Sequence, residues 1–437
     1  MVISKAILTI KEKARKLVST GAAHVLIGSF ITKFITFFGS IFLVRILTKS
    51  EYGVLSYYEN ILGYFCVFAG LGLAPGIQRY LILADTNEAK RGCFNKAFRQ
   101  GNLWNMLMVV LCMTFCFLYK HPEAFSGYPI VILCLTLCIP LIFICNLGQY
   151  ALRALFDYKR YAYLAVISAL ILVSGRVVGA IVGGLDGSVT FRLAAEVICS
   201  VMSVYLLLHF HFRNVKGEQL DPSFSKEYSN YSVQMMLTDG LWAMFMLNDI
   251  FLLGQISGDD LLVADYKIAY VIPANLAIIS SSIGLYVAPY FTKYDKEGKL
   301  NWVKKNLKLT LLVTMFVMGG LALLCYVFGD VLIKFIFGAQ YLTTVPIMNI
   351  LLIASFFNNG IRMVIANILS AVGEQKNNLI VAGIGMVFQI VLDVLLIPRM
   401  GAIGVGLSSL SVYLIMSALL VIMVYKKYFK RKVVKHE

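Results

Sequence analysis

Residues 74–80, APGIQRY, and residues 288–294, APYFTKY, share alanine, proline, a basic residue and tyrosine at matching positions. They end a longer match, because residues 51–80 recur as residues 265–294 at a constant offset of 214 without a gap. Both copies lie inside apolar segments that are long enough to cross a membrane. The sequence therefore predicts one helical bundle built twice. Many secondary transporters use such repeats to form a central site that can face either side of the bilayer.

The composition makes the bilayer the expected solvent of this chain. Hydrophobic residues make up 59% of the 437 residues, charged residues make up 14%, and the mean hydropathy is +0.79. A globular domain of this composition would not stay soluble. Apolar windows of about 20 residues, the length of a membrane-spanning helix, fill most of the chain. They predict twelve spans, near residues 22–47, 54–73, 98–119, 129–151, 162–182, 189–211, 232–255, 262–288, 307–328, 344–371, 378–397 and 402–425.

The basic residues orient these predicted spans. With a cytoplasmic N-terminus, 28 lysine and arginine residues fall on cytoplasmic segments and five fall on outer segments. Cytoplasmic loops carry the excess of positive charge, so both termini are predicted to be cytoplasmic. The predicted organisation is a six-helix bundle (1–211), a cytoplasmic linker (212–231), a second six-helix bundle (232–425) and a basic cytoplasmic tail (426–437). The net charge of +16 is attributed to this inner surface facing anionic membrane lipids, and no nucleic-acid partner is expected.

Several ionisable residues lie within the predicted spans. A charge at the bilayer centre costs about 2.5 to more than 10 kcal/mol, so each one needs a partner, a wet cavity or a function. Three basic residues near mid-span are predicted to contact an anionic substrate: Lys33, Arg176 and Arg362. Three acidic residues are predicted to act in gating or in coupling to Na⁺ or H⁺: Asp239, Asp249 and Asp393. For Asp239 and Asp249, pairing with the basic residues Lys33 and Arg362 is the alternative. Two basic residues of the repeat are predicted at the cytoplasmic entrance: Arg79 and Lys293.

A second repeat offset relates two of these charges. At an offset of 217, residues 152–154, LRA, fall on residues 369–371, LSA, and Arg176 falls on Asp393. Opposite charges would then lie at equivalent depths in the two halves. A salt bridge between the halves and a role in substrate binding or gating are both compatible with this arrangement.

Other in-span charges also have simpler explanations. For Lys33 and Arg362 the alternative is snorkelling of the long side chain to the membrane surface. Arg192 and Glu196 lie four residues apart, so they share a helix face and are predicted to neutralise each other.

Helix-breaking residues mark positions where spans are expected to bend or end. The Asn358-Asn359-Gly360 run and Pro140 are expected to loosen or bend their helices. Pro75 and Pro289, each just before a basic residue, are expected to end their helices at the inner surface.

The sequence indicates no catalytic or metal chemistry. Nine cysteines lie mostly within spans, without the C-x-x-C spacing or nearby histidines of a zinc site, and are expected to serve packing. A Gly-rich phosphate loop, an H-E-x-x-H motif and a nucleophile elbow are all missing from the 437 residues. We therefore expect neither cofactor nor catalytic residues.

Short motifs recur along most of the chain. They begin with LVRILTKSEYG at residues 43–53, GLG at 70–72 and Arg79. They continue with LRA at 152–154, Asp249 followed by Gly254, ADYKIAY at 264–270 and AVGEQK at 371–376. In these motifs the chain resembles the polysaccharide-biosynthesis flippases, which move undecaprenyl-diphosphate-linked repeat units of O-antigen, capsule or exopolysaccharide.

This resemblance implies the fold of the MOP superfamily. The implied fold class is an all-α integral membrane protein with twelve transmembrane helices in two pseudo-symmetric six-helix bundles, arranged in a MATE-like V around a cationic cavity. Lys33, Arg176 and Arg362 are assigned to the cavity wall by span depth, since no motif carries them over. Lipid II flippases of this superfamily usually have two helices more than the twelve predicted here.

The implied function is translocation of a lipid-linked oligosaccharide across a bacterial inner (plasma) membrane by alternating access. The implied partners are this substrate, membrane lipids, and a polysaccharide polymerase or glycosyltransferases. One alternative is a cation-coupled multidrug antiporter of the same fold, which would favour carboxylates in the cavity. A second is an integral-membrane polysaccharide polymerase or ligase. Such enzymes carry a large outer loop, whereas no predicted outer loop exceeds about seventeen residues.

Overall fold

The computed structural model of the protein describes residues 22–429, which are mostly helical and contain no β-strand. The predicted cytoplasmic termini and most of the predicted basic tail lie outside these residues. Thirteen α-helices follow one another in the described range. They are α1 (Ala22–Ile46), α2 (Lys49–Val67), α3 (Leu73–Leu83), α4 (Asn87–Leu118), α5 (Pro129–Ala154), α6 (Tyr158–Phe210), α7 (Pro222–Ser257), α8 (Asp260–Lys296), α9 (Leu300–Val327), α10 (Gly329–Ile336), α11 (Val345–Phe357), α12 (Met363–Ala371) and α13 (Gln375–Val424).

The chain divides into two compact units. Unit 1 contains the described residues up to His121 together with Ser126–Ala243, and unit 2 contains Pro122–Phe125 and the described residues from Met244 onward. The boundary therefore lies inside α7, and residues 212–231 group with unit 1. The predicted bundle and linker boundaries stay a prediction.

Membrane-length helices dominate the described residues. Nine helices between residues 22 and 429 are long and apolar enough to cross a membrane, or ten if the bent pair of α2 and α3 is one span. Two of the nine, α6 with 53 residues and α13 with 50, are about twice as long as one span requires. Each is interrupted once by non-helical backbone. The predicted all-α membrane fold is confirmed. The count of twelve would follow if the bent pair is one span and α6 and α13 each hold two spans, and it stays a prediction.

The interruptions of α6 and α13 reproduce the second repeat offset in the backbone. Gly184 has φ 57° and ψ −138°, and Gly401, 217 residues later, has φ 54° and ψ −133°. Only glycine adopts this combination of positive φ and strongly negative ψ readily, because it lacks a Cβ. Phe156 and Gly373 are also 217 residues apart, and both have positive φ. The internal repeat is therefore a repeat of conformation as well as of sequence.

The first offset shows where the two copies differ. Between α2 and α3 the backbone is left-handed at Gly70, Leu71 and Gly72, with φ of 60°, 52° and 71°, and the two helices meet at a bend of 46°. The residues that correspond to this break, 284–286, lie inside the continuous helix α8. The broken span is therefore a property of the first copy.

Side chains of α4 and α5 support the break. The Gly70 amide donates to Oδ1 of Asn105 at 2.7 Å, and Trp104 Nε1 donates to the carbonyl of Phe68 at 2.9 Å. These bonds replace helical hydrogen bonds that the break removes. A Cβ atom at Gly70 would collide with the ring of Phe143, so glycine is needed there for space as well as for its positive φ.

The expectation that Pro75 and Pro289 end their helices is wrong. α3 begins at Leu73, so Pro75 lies in the first helical turn, where its missing N–H leaves no helical bond unmade. α8 continues through residue 289 to Lys296. The expected loosening at Asn358-Asn359-Gly360 is confirmed, since Asn358–Arg362 forms a π-helical turn between α11 and α12.

Candidate functional site

Arg176 forms an ion pair with an acidic residue of α2. Its Nη2 atom lies 2.6 Å from Oε1 of Glu59, and Nη1 of Arg192 lies 2.5 Å from the same oxygen. Glu196 is 5% exposed and interacts electrostatically with both arginines. Two arginines and two glutamates thus form a charge-balanced cluster in unit 1. An anion that binds Arg176 has to compete with Glu59 for it.

Glu59 is the residue of this cluster that the sequence analysis missed. The predicted Arg192–Glu196 pair considered one helix only, whereas the ion pair of Arg192 crosses from α6 to α2. The available signal was the position of Glu59 itself, because it is an acidic residue inside the predicted span 54–73.

Lys33 lies on an exposed part of α1. Two close glycine contacts show that α1 runs parallel to the first part of α6: Gly28 against Ala162 and Gly39 against Val173. In this register Arg176 is level with Phe42, which is about 13 Å beyond Lys33 at 1.5 Å per residue. The two predicted substrate contacts of unit 1 therefore lie at different depths.

Arg362 belongs to unit 2 and is 9% exposed. It closes the π-helical turn Asn358–Arg362, and its Nε donates to Oδ1 of Asn358 at 2.6 Å. The loosened turn thus holds the guanidinium with a side chain of the same segment. The predicted contact of Lys33, Arg176 and Arg362 with an anionic substrate stays a prediction for each residue.

Asp249 lies in a buried polar cluster of unit 2. Its carboxylate accepts hydrogen bonds from the Tyr266 hydroxyl, from Nε2 of Gln389 and, at 3.1 Å, from the Ser409 hydroxyl. The residue is 8% exposed. Three donors from α8 and α13 therefore converge on one carboxylate of α7.

Asp393 is fully buried beside this cluster, one helical turn after Gln389. Neither of its carboxylate oxygens has a hydrogen-bond partner within the described chain. The Ser408 hydroxyl lies beside it without hydrogen-bonding geometry, and Oε1 of Gln389 is also unpaired there. Asp249 and Asp393 interact electrostatically. The cluster therefore presents unpaired buried oxygens, which suit a proton or a hard cation.

Cysteine and histidine contribute no site in the described range. All nine cysteines are free. Residues 22–429 contain no group of three or more His, Cys, Asp or Glu side chains arranged to hold a metal ion.

Asp239 lines a cavity of about 200 Å³ in unit 1, beside the break between α2 and α3. Three of the lining side chains carry strong hydrogen-bonding groups, namely Asp239, Asn146 and Tyr150. None of the residues described along its wall is lysine or arginine. The remaining lining is apolar or backbone: Cys66, Val67, Ala69, Gly72, Ala74, Pro75, Ile142, Phe143, Met235, Met236, Gly240 and Ala243.

Two arginines lie close to this cavity. The guanidinium of Arg79 lies 4.8 Å from the ring centroid of Tyr231, and that of Arg153 lies 4.4 Å from the ring centroid of Tyr150. Arg153 Nε is buried and makes no hydrogen bond to any described residue. Arg79 was predicted at the entrance, whereas Arg153 was noted only as part of a motif.

Lys293, the repeat equivalent of Arg79, is exposed near the end of α8. Its Nζ lies 3.9 Å from Oε1 of Glu297. The predicted roles of Arg79 and Lys293 at a cytoplasmic entrance stay predictions.

A family model described as polysaccharide biosynthesis protein matches residues 42–346, which is more than half of the chain. The chain belongs to this polysaccharide biosynthesis family. The resemblance seen in the sequence motifs is thereby confirmed, and the protein is a multi-pass membrane member of the family.

Two curated relatives are each 24% identical to the chain. One is a membrane protein of Methanocaldococcus jannaschii, matched over 250 residues that cover 54% of this chain and 47% of the relative. The chain thus spans about half the length of that relative. The other is a proposed O-antigen transporter of Shigella flexneri, matched over 413 residues that cover 88% of this chain and 92% of the relative.

Solved structures with the same fold include transporters of the MOP superfamily and a lipid II flippase. An inward-facing multidrug resistance MATE transporter has a TM-score of 0.72 at 13% identity, covering 91% of this chain and 95% of its own. The lipid II flippase MurJ in an inward closed conformation has a TM-score of 0.72 at 16% identity, covering 93% and 89%. A MOP transporter from Pyrococcus furiosus has a TM-score of 0.64 at 14% identity, covering 95% and 97%. The family member described here therefore has the MOP transporter fold.

Proposed function

We propose that this protein is a flippase that moves undecaprenyl-diphosphate-linked oligosaccharide repeat units from the cytoplasmic to the outer leaflet by alternating access. The observation that carries the proposal is the polysaccharide-biosynthesis family match over residues 42–346. The proposed location is a bacterial plasma membrane with both termini cytoplasmic. Glycosyltransferases that build the repeat unit and a polymerase that consumes it are the proposed partners.

The physical task is to carry a charged, hydroxyl-rich headgroup through hydrocarbon. Removing water from an ion costs tens of kcal/mol in the idealised limit, on the order of 20 kcal/mol for a carboxylate-sized ion. Polar and basic groups inside a helical bundle lower this barrier, while the polyprenyl chain stays in lipid. No covalent bond changes, so the proposed activity is transport rather than catalysis.

The acidic cluster of unit 2 supports coupling to an ion. Asp249 and Asp393 interact with each other, and both oxygens of Asp393 lack hydrogen bonds among the described residues. A bound Na⁺ or H⁺ would neutralise this buried negative charge. We propose that binding and release of this cation accompany the conformational cycle.

The decisive experiment compares lipid-linked intermediates in the host with and without the gene. Loss of a flippase leaves single repeat units on undecaprenyl diphosphate at the cytoplasmic face, whereas loss of a polymerase leaves them at the outer face. Mass analysis of lipid-linked sugars with an impermeant labelling reagent distinguishes the two faces. Accumulation at the outer face, or no accumulation, would overturn the flippase proposal.

Point variants then examine the predicted substrate contacts. Arg362→Ala and Arg176→Ala should each lower surface polysaccharide at matched protein level, because each removes a cation predicted to meet the diphosphate. Arg399→Ala, which removes an exposed arginine of unit 2, is the matched control and should have no effect. Unchanged export in both test variants would refute the predicted contacts without refuting the flippase.

One observation favours a second candidate function, a cation-coupled multidrug antiporter. The cavity beside the broken span carries the carboxylate of Asp239 and, along its described wall, no lysine or arginine. An organic cation would complement such a lining. Efflux of a fluorescent organic cation from cells that express the protein, abolished by Asp239→Asn, would support this candidate.

A further inference from the structure

We propose that the cavity beside the broken span binds the sugar ring next to the lipid diphosphate, and that Arg79 and Arg153 bind the diphosphate at the cytoplasmic end of this cavity. This inference rests on the proposed flippase function and assigns its substrate to particular residues of unit 1. Its basis is a sugar-sized cavity with three polar lining side chains and two arginines one helical turn beyond it.

The lining residues on α7 show which end of the cavity lies near α2. Met235, Asp239 and Ala243 are spaced by four residues and therefore lie on one face of this helix. Gly240 lies against Val67, which precedes the break, and the other end of the lining includes Pro75, which follows it. Asp239 is thus at the end of the cavity that is nearer to α2.

The other end of the cavity is near the aromatic ring of Tyr150. One crossing by α4 separates α3 from α5, so α3 and α5 run in the same direction, toward the predicted cytoplasmic side. Phe143 packs against Gly70 at the break, and Tyr150 is two turns further along α5. Tyr150 and Pro75 therefore lie together at the cytoplasmic end of the cavity.

Three helices each provide a residue one turn beyond this end. Arg79 follows Pro75 by four residues on α3, and Arg153 follows Tyr150 by three on α5. On α7, which runs in the opposite direction, Tyr231 precedes Met235 by four. The contact of Arg79 with Tyr231, at 4.8 Å, confirms that these residues meet at one level.

These two arginines differ from those of the Glu59 cluster. Arg176 and Arg192 are bound to a carboxylate, whereas no ion pair joins Arg79 or Arg153 to any carboxylate among residues 22–429. Their observed partners are aromatic rings, which leave the guanidinium N–H groups available. Arginine binds phosphate oxygens with two parallel N–H groups, so two such side chains suit a diphosphate.

The cavity lining suits a sugar rather than a phosphate. A carboxylate, an amide and a phenol accept and donate hydrogen bonds to ring hydroxyls, and the half-buried ring of Tyr150 adds an aromatic surface beside them. A volume of about 200 Å³ holds one sugar ring and not a whole repeat unit. A phosphate inside the cavity would meet the Asp239 carboxylate, which repels it.

The two proposed binding sites follow each other in the same order as the diphosphate and the first sugar of the substrate. In a lipid-linked sugar the diphosphate is bonded directly to the first ring, so its two binding sites have to be adjacent. Along their helices, Arg79 lies about 6 Å and Arg153 about 4.5 Å beyond the cavity end, which is roughly one turn. An organic cation in the same cavity would have to pass two arginines, which makes the diphosphate-linked sugar the better fit.

The test uses the full-length protein in lipid nanodiscs and two probes. They are undecaprenyl diphosphate and the undecaprenyl-diphosphate-linked repeat unit isolated from the host. The wild-type protein should bind the sugar-bearing probe at least about tenfold more tightly, the effect of one hydrogen bond to a charged group. Asp239→Ala and Asn146→Ala should each abolish this preference and leave the affinity for undecaprenyl diphosphate unchanged.

The arginine variants should change the two affinities in a different way from Asp239→Ala and Asn146→Ala. Arg79→Gln and Arg153→Gln should each lower the affinity for both probes by the same factor, because both probes carry the diphosphate. Asp186→Ala and Arg213→Gln, which alter exposed residues of unit 1, are the matched controls and should bind both probes as the wild type does.

Each outcome decides between the two proposals. If the wild-type protein binds neither probe, the flippase function itself fails. If it prefers the sugar-bearing probe and both alanine variants keep that preference, or if it binds the two probes equally, the sugar site is wrong and the flippase stands. If tetraphenylphosphonium displaces the sugar-bearing probe and Asp239→Ala prevents this, the cavity binds organic cations instead.

Discussion

Replacing Glu59 with glutamine should destabilise the protein by about 3 kcal/mol, because two arginines depend on one carboxylate. Oε1 of Glu59 lies 2.6 Å from Arg176 and 2.5 Å from Arg192. Removing one partner of a buried pair costs about 3–5 kcal/mol. The three side chains are 23%, 26% and 14% exposed, so water screens the charges in part and the lower end of that range applies.

Thermal unfolding of the purified full-length protein measures this effect. In a domain of about 150–250 residues, a range that includes unit 1, a loss of 1 kcal/mol lowers the Tm by about 2–4 °C. The Tm of Glu59→Gln should therefore fall by roughly 6–12 °C. Glu88→Gln, an exposed substitution in the first turn of α4, is the control and should change stability by less than about 0.5 kcal/mol. Arg176→Gln alone should cost less than Glu59→Gln, because the pair of Arg192 with Glu59 remains.

The double variant Glu59→Gln/Arg176→Gln sharpens the test. It removes one charge of each sign and leaves Arg192 near Glu196, so its Tm should lie above that of Glu59→Gln. A Tm for Glu59→Gln that equals the control, or a double variant that loses the sum of both single changes, would refute the reasoning that this cluster is a coupled charge network.

Three further predictions concern single residues. Gly184→Ala should lower stability by about 1–3 kcal/mol because of its positive φ, whereas Gly183→Ala, with φ of −143° and open space at its Cβ, should not; thermal unfolding compares them. Burial raises the pKa of Asp157, but hydrogen bonds from Arg160 and His211 outweigh it and hold the pKa below 3.8. The charge of Asp157 therefore stabilises the fold above about pH 4. At pH 7, Asp157→Asn should lower the Tm by at most about 2 °C. This difference in Tm should disappear as the pH falls through the pKa of Asp157 in the folded protein. Na⁺ should raise the Tm of the wild type relative to choline but not that of Asp393→Asn; equal values in both ions for the wild type would exclude Na⁺ as the coupling ion.

Hydropathy and internal repetition predicted the membrane fold, because both are properties of the sequence at fixed spacing. The offset of 217 that pairs Arg176 with Asp393 also pairs Gly184 with Gly401, and these glycines share one backbone conformation. The sequence offered no comparable rule for the break at 70–72. Three left-handed residues there depend on Asn105 and on space beside Phe143, which are contacts between distant parts of the chain.

Pairing of charges was the least predictable feature of the candidate site. Periodicity identifies partners on one helix, as for Arg192 and Glu196, but it carries no information about which helix lies opposite. Glu59 is a partner of Arg192 because α2 lies against α6 in the fold. For the same reason the acidic residues of unit 2 could be named individually, while the hydrogen bond from Gln389 to Asp249 could not.

The left-handed break between α2 and α3 occurs in one copy of the duplication, while the other copy keeps a straight helix at the corresponding residues. A chimera in which residues 265–297 replace residues 51–83 would therefore carry a continuous helix in both copies. It would lack the break whose residues Ala69 and Gly72 line the cavity.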